Sequence, residues 1–425
     1  MLDAIGVGIA ASGTLAGKPY RRAAAMLAGQ GPCALFGMLG GGSPEGAALI
    51  NGRLIHRLEY DDTHTDSIVH GSAILASSAL AMCQGCGASG AATLGVFIRG
   101  WEVLVRFGLA SPGGFQRAGF QASSVGGALA AALVAADLLG LGTETALHAV
   151  GITLSQASGG FEFLTNGFSV KSLHPGWAAH AGVVAAFFAQ SGLTGPETAL
   201  DGKNGLFRQF AHDEGAAPCF AEAIEDLGTK WQLPDAAFKL QPCCRYLDPF
   251  IEAAQCLRQL GVEADAVSEL VCRIAPGAAP IVCLPWEAKQ AASGHTAQWS
   301  LPVVVAAALG ERAITLDNFE AELSPAVRAL AKRIRWEPLE PNRFPVRFES
   351  ELAATLRDGR TLDVRINDVR RNASRPASPD DVEAKFRANV ERVLPAGAVP
   401  ALTAALLHFD QGGFERLPAL LAPSN

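Results

Sequence analysis

The chain has 425 residues, 49% of them hydrophobic and only 18% charged, with 41 acidic side chains against 34 basic ones and a net charge of −7. That composition excludes a disordered chain and leaves room for two or three domains. The lack of any basic stripe with interleaved aromatics excludes nucleic acid as a partner, and no uncharged apolar run reaches the ~18 residues of a membrane span.

The first residues, MLDAIGVGIAASGTLAG, are apolar but lack the basic opening of a secretory signal. Residues 37–46, GMLGGGSPEG, are glycine-rich without a Walker lysine or a strand–GxGxxG–helix context, so they do not read as a nucleotide site. An apolar helical run from Ala47 to Leu58 follows. Then comes EYDDTHTDSIVHGS (59–72), which crowds four carboxylates and two histidines into one polar stretch before the next apolar run, Ala73 to Met82. Cys83 and Cys86 form a CxxC with no second pair and no nearby histidine. Zinc is therefore not expected, and reduced thiols of a cytoplasmic protein are.

Further along, GGALAAALVAADLLGL (126–141) and HPGWAAHAGVVAAFFAQSG (174–192) read as small-residue helices that pack closely, and GTETALHAVGITLSQA and TGPETAL read as helix starts. After residue ~245 the texture changes. DPFIEAAQCLRQLG reads as a helix, AVSELVCRIAPG alternates like a strand, and TAQWSLPVVVAAALGERAITLDNF holds a buried helix. RFPVRFESELAATLRDGRTLDVRIND reads as two strands around RDGR. The tail SPDDVEAKFRANVERVL returns to helix. The expected fold is mainly α: an all-helical domain of residues 1–244 with 375–425, and an inserted α+β domain of residues 245–374 that acts as a lid. The low charged fraction points to hidden surface and hence a homo-oligomer.

Four clusters carry candidate chemistry. If the helix from Pro44 continues, Glu59, Asp62 and Thr63 share one face, with His70 at the mouth of the next segment. This is either a solvated turn or the floor of an active site. In VKSLHPGWAAH (170–180), Lys171 is an isolated cation suited to a carboxylate, or an ordinary surface lysine before a helix. His174 and His180 are six apart, which is not a metal-ligand spacing on a helix. In AGFQASSVGGALAAA (118–132), Gln121, Ser123 and Ser124 stand at a helix start, as anion donors or simple caps. In KLQPCCRYLDPF (239–250), Lys239, Arg245 and Asp248 sit at the apparent domain junction, as ligand contacts or a linker ion pair. His56, His148, His212, His295 and His408 read as structural. No GxSxG occurs.

Taken in order, NGRLIHRLEYDDTHTDSIVHGSAI, GFQASSVGGALAAALVAADLLGL, VKSLHPGWAAHAGVVAAFFAQSGLTGP, KLQPCCRYLDPFIEAA and AQWSLPVVVAAAL resemble the MmgE/PrpD family over nearly the whole chain. That family includes 2-methylcitrate dehydratase, cis-aconitate decarboxylase and iminodisuccinate epimerase. The resemblance implies a homodimer with no metal or organic cofactor, acting on a small di- or tricarboxylate by proton transfer next to a carboxylate. A dehydratase-type lyase is the leading expectation, with a dicarboxylate epimerase or a non-catalytic carboxylate binder as alternatives. It implies catalytic roles for His70, Lys171, Glu59 and Asp62. It implies a substrate contact for Thr63; Gln121, Ser123, Ser124, His174, Arg245 and Tyr246 are the further candidate substrate contacts of the same stretches. Gln121, Asp248 and Val303 depart from the histidine, histidine and tyrosine common at those places. Members also usually carry a further helix before the stretch matching LDAIGVGIAASG.

Overall fold

The computed structural model describes residues 1–163, 169–311, 313–320, 322–344, 347–369 and 375–421. Residues 345–346, read as part of the first hairpin strand, and residue 374, the expected end of the inserted domain, lie outside them. The chain divides into two compact units, one of residues 1–57, 61–238 and 378–425, the other of residues 58–60 and 239–377.

The larger unit is helical. Its principal helices are α1 (Leu2–Gly13), α2 (Lys18–Leu27), α3 (Pro44–His56), α4 (Ser72–Cys86), α5 (Gly90–Ala110), α6 (Ala122–Leu138), α7 (Thr143–Thr153) and α8 (Leu173–Gln190). Two small hairpins accompany them: β1 (Cys33–Ala34) with β2 (Gly41–Gly42), and β3 (Thr63–His64) with β4 (Ala236–Ala237). Helix α3 starts where Ser43 caps the amide of Gly46 and Pro44 occupies the first turn. α5 starts where Ser89 caps the amide of Ala92.

Alanine and glycine set the packing because backbones touch. A Cβ on Gly176 of α8 would lie 2.3 Å from the Leu49 carbonyl oxygen of α3, and one on Gly182 would lie 2.5 Å from the Ala132 nitrogen of α6. Thus α8 is pinned between α3 and α6, the helices that carry the site. Gly176→Ala is expected to cost about 1–3 kcal/mol or more by overpacking, read as a lower denaturation midpoint.

Helix α11 (Pro379–Val390), which follows α9 (Asp248–Gln259) and α10 (Leu301–Gly310) in the chain, opens on a capping box between Ser378 and Asp381. It returns to α1, where Lys385 Nζ meets Asp3 Oδ1 at 2.7 Å with both side chains buried.

The smaller unit holds α9 (Asp248–Gln259), α10 (Leu301–Gly310) and one mixed sheet of β5 (Val267–Ile274), β6 (Ile334–Pro338), β7 (Ser350–Leu356) and β8 (Thr361–Ile366), in spatial order β6-β5-β7-β8. β5 runs parallel to β6, and the other pairs are antiparallel. Along β7, Ser350, Leu352, Ala354 and Leu356 are buried in strict alternation, the pattern of a strand with one face on a core. That core is completed by α9 and α10, and Val303 lies fully within it.

Two expectations change. α3 ends at His56 and Glu59 takes a left-handed φ of 51°, so Glu59, Asp62 and Thr63 do not share a helical face. Residues 194–200 form turns rather than a helix start, and Gly195 is held against α7, its carbonyl 3.2 Å from His148 Nδ1. No described helix is long and apolar enough to cross a membrane.

Candidate active site

Helix α3 delivers His56 at its last turn, and the chain then doubles back. Residues 64–69 close on themselves: the His64 amide donates to the Val69 carbonyl at 2.9 Å, and the Val69 amide returns to the His64 carbonyl at 3.3 Å. Gly71, which has no room for a side chain against the Trp101 ring, then leads into α4. This tight loop sets His70 against the residues it has just passed. His56 Nδ1 lies 2.7 Å from Asp61 Oδ2, and His70 Nδ1 lies 3.4 Å from the same oxygen. His70 Nδ1 is also 3.0 Å from the Asp62 carbonyl oxygen and 3.5 Å from Thr63 Oγ1. The two imidazoles meet edge to face, with centroids 4.7 Å apart.

Burial alone would raise the Asp61 carboxyl. The adjacent His56 and His70 outweigh it and hold this group well below the usual carboxylate range. Asp62 behaves oppositely. Burial pushes it up to about 7, against the Ser72 hydrogen bond and with the help of Asp3 and Asp61. Its carboxylate faces the start of α4, accepting the Ser72 amide at 3.2 Å and the Ser72 hydroxyl, while Trp101 Nε1 donates to Ser72 Oγ at 3.2 Å. The carbonyl of Asp62, rather than its carboxylate, is what meets His70.

His56, Asp61 and His70 each offer a ligand atom within 4.8 Å of the others, a spacing that would also suit a cation. A backbone carbonyl only accepts, so His70 Nδ1 at 3.0 Å from it carries a proton and the lone pair of that ring stands on Nε2.

The start of α6 and the entry to α8 form the other wall. Ser123 Oγ accepts the His70 amide at 2.8 Å, and Ser124 Oγ donates to the His174 carbonyl at 3.3 Å, so neither serine caps its own helix. Gln121 Oε1 lies 2.8 Å from His174 Nδ1. His174 is pushed down to about 4, chiefly by burial and further by the charges of His56 and Lys171. Lys171 is half-buried on the 3-10 turn Ser169–Ser172, whose Ser172 Oγ lies 2.5 Å from the Tyr20 hydroxyl of α2. Within the larger unit the structure therefore brings His70 against His56, Asp61, Asp62, Thr63 and Ser123, and His174 against Gln121 and Ser124, with His56 and Lys171 in electrostatic reach of His174.

The remaining candidates lie in the smaller unit. Glu59 is buried there, its carbonyl accepting Lys239 Nζ at 3.1 Å and its Oε2 3.8 Å from the same nitrogen. Arg245 Nη1 meets Asp248 Oδ2 at 2.5 Å, with both groups buried. The Tyr246 ring packs edge to face on Phe344 and Phe348, and burial pushes its phenol up.

Four residues of the site escaped the sequence reading. His56 looked structural, and Asp61 stood unremarked among four carboxylates; the five-residue separation of a helix-terminal histidine from an aspartate was the available signal. Arg57, only 7% exposed, and Arg53, whose guanidinium lies 4.3 Å over the Tyr20 ring, each have an Nε that meets no acceptor among the described residues. Two adjacent-turn arginines in an otherwise apolar helix could have flagged this positive end of α3.

The chain thus comprises a helical unit that holds a histidine–aspartate–histidine cluster and a separate α+β unit. The chain belongs to the MmgE/PrpD family: the family's N-terminal domain matches residues 1–218 and its C-terminal domain residues 242–408. It is 30% identical to human cis-aconitate decarboxylase over 373 residues, covering 84% of this chain and 75% of that one. It is likewise 30% identical to the mouse cis-aconitate decarboxylase over 379 residues, 84% and 74% of the two chains. The cis-aconitate decarboxylase of Aspergillus terreus is 30% identical over 237 residues, 54% of this chain and 48% of that one.

Proposed function

We propose that the protein is a cofactor-independent lyase of the dehydratase or decarboxylase type, acting on a small di- or tricarboxylate, with His70 moving the proton next to a substrate carboxylate. The observation that carries this reading is the hydrogen-bonding of His70 Nδ1 to oxygens of its own loop, which makes Nε2 the basic nitrogen. Imidazole is suited to proton transfer at neutral pH. The family match over both domains supports the reaction class.

A carbanion beside a carboxylate is poorly stabilised, so developing negative charge needs fixed cations nearby. Lys171 is the proposed carboxylate clamp, and Arg53 and Arg57 add positive charge at the same end of α3, whose helix packs against the turn that carries Lys171. His174, held uncharged at neutral pH and oriented by Gln121, offers its Nε2 as a neutral hydrogen-bonding group. Thr63 positions substrate beside His70, and Ser123 and Ser124 hold the backbones of the two histidines. Asp62 anchors Ser72 and presents its carbonyl to His70, while Glu59, in the smaller unit, is bound to Lys239. Arg245 and Tyr246 remain proposed substrate contacts.

The test is turnover of a panel of citrate-like, aconitate-like and succinate-like acids in deuterated water, followed by NMR. Loss of water or carbon dioxide from at least one acid is expected. Deuterium entering recovered substrate without elimination would make the protein an epimerase. Thermal stabilisation by an acid with no product from any would make it a binder.

A further inference from the structure

Asp61 is the most enclosed acid of the site, and both of its side-chain partners among the described residues are imidazoles on a single oxygen. Oδ2 takes His56 Nδ1 at 2.7 Å and His70 Nδ1 at 3.4 Å, while Oδ1 meets no donor among the described residues. Around His70 Nδ1 stand a carboxylate oxygen, a backbone carbonyl and a threonine hydroxyl. The first two can only accept. His56 Nε2 is sealed from solvent with no partner among the described residues, and its Nδ1 is taken by Asp61.

We propose that Asp61 is a positioning residue: with the Asp62 carbonyl it locks His70 in the tautomer protonated at Nδ1, leaving Nε2 to exchange the proton with substrate, while His56 holds Asp61 in place. In the forward step the substrate C–H bond breaks, its electron pair stays on the carbon next to the carboxylate, and the proton moves to His70 Nε2. The ring is then an imidazolium whose Nδ1–H is held by the Asp62 carbonyl with the ionised Asp61 carboxylate 3.4 Å away, so the charge created on His70 forms beside an opposite one. Asp61 keeps its own charge throughout and takes no proton, as in other histidine–aspartate pairs of this geometry. The catalytic consequence rests on His70 being the base; the tautomer does not.

Long-range proton–nitrogen correlation spectra of 15N-labelled full-length protein read the tautomer without any substrate, with His70 and His56 assigned from the spectra of His70→Asn and His56→Asn. His70 is expected to show a protonated Nδ1 and a bare Nε2. A protonated Nε2, or an averaged ring, overturns the proposal whether or not the enzyme turns over. Asp61→Asn is expected to lower kcat by about 10²-fold or more with little change in KM, and to shift the His70 nitrogens toward the other tautomer. Wild-type kcat in that variant overturns the positioning role. His56→Asn, which retains an N–H for Asp61, is expected to stay within about fivefold of wild type where His56→Leu does not; equal losses in the two overturn the part assigned to His56. Should Asp61→Asn fail to fold, the wild-type spectrum decides alone. Full turnover in His70→Ala with the expected wild-type spectrum would instead retire the reading of His70 as the base and leave the tautomer standing.

Discussion

Replacing His70 with alanine is expected to lower turnover by about 10²–10⁴-fold, the contribution of a positioned proton-transfer group. The side chain is partly exposed, and its backbone amide, held by Ser123, survives the change. What is lost in stability is one of the two imidazoles that compensate the buried Asp61, about 1–3 kcal/mol. That is affordable within the 5–15 kcal/mol of a typical domain. The thermal midpoint should therefore drop by a few degrees while the protein remains folded. Added imidazole should restore a fraction of the rate, because the cavity left by the ring still borders the Asp62 carbonyl and Asp61. A variant that keeps wild-type kcat on every accepted acid would remove His70 from the chemistry. A variant that is inactive only because it is unfolded would show no rescue and no cooperative melt.

Most of the helices were legible because their signals are local. Ser43–Pro44 and Ser378–Pro379 announce helix starts, and the alanine–glycine faces of α6 and α8 announce close packing, which the bare Gly176 and Gly182 contacts bear out. The hairpin of β7 and β8 was legible for the same reason, since alternation and the RDGR turn lie within seventeen residues of chain.

The site was legible in its residue types but not in its wiring. The end of α3 depends on Glu59 adopting a left-handed φ as residues 58–60 leave for the other unit, a tertiary event with no glycine to mark it. Asp62 looked like an acid beside His70, yet the start of α4 claims its carboxylate, because the Ser72 amide and hydroxyl there need an acceptor. Gln121 and His174 are 53 residues apart, and nothing in either neighbourhood declares that they meet. Asp61, flanked by Tyr60 and a second aspartate, carries no mark that separates it from its neighbours until His56 and His70 are both placed.

That difference between the two adjacent aspartates has a thermodynamic consequence. Asp62→Asn is expected to reshape how stability depends on pH. In the folded protein burial, only partly opposed by Ser72, lifts the Asp62 carboxyl from its ordinary 3.8 to about 7. Between those two values the folded chain keeps a proton that the unfolded chain has released, so stability is lost as pH rises through this window. At 1.36 kcal/mol for each pH unit the loss is about 4 kcal/mol by neutral pH. His174 works in the opposite direction. Burial first, then the charges of His56 and Lys171, bring it from 6.5 to about 4. Over that range the unfolded chain binds the proton that the folded one refuses, so stability rises with pH, by about 3 kcal/mol. Buried His64 adds to the same slope. In the wild type the opposing slopes largely cancel between pH 4 and 6.5. Asparagine retains an acceptor for the Ser72 amide and cannot ionise, so the variant loses this falling slope and keeps the histidine one. Urea denaturation at pH 4.5, 6.5 and 8 should show the variant climbing steeply from acid to neutral pH where the wild type is flat, and exceeding the wild type by about 2–4 kcal/mol at pH 8. Parallel curves for the two proteins would mean that Asp62 ionises in the fold as freely as in water, and that the start of α4 holds a charged carboxylate after all.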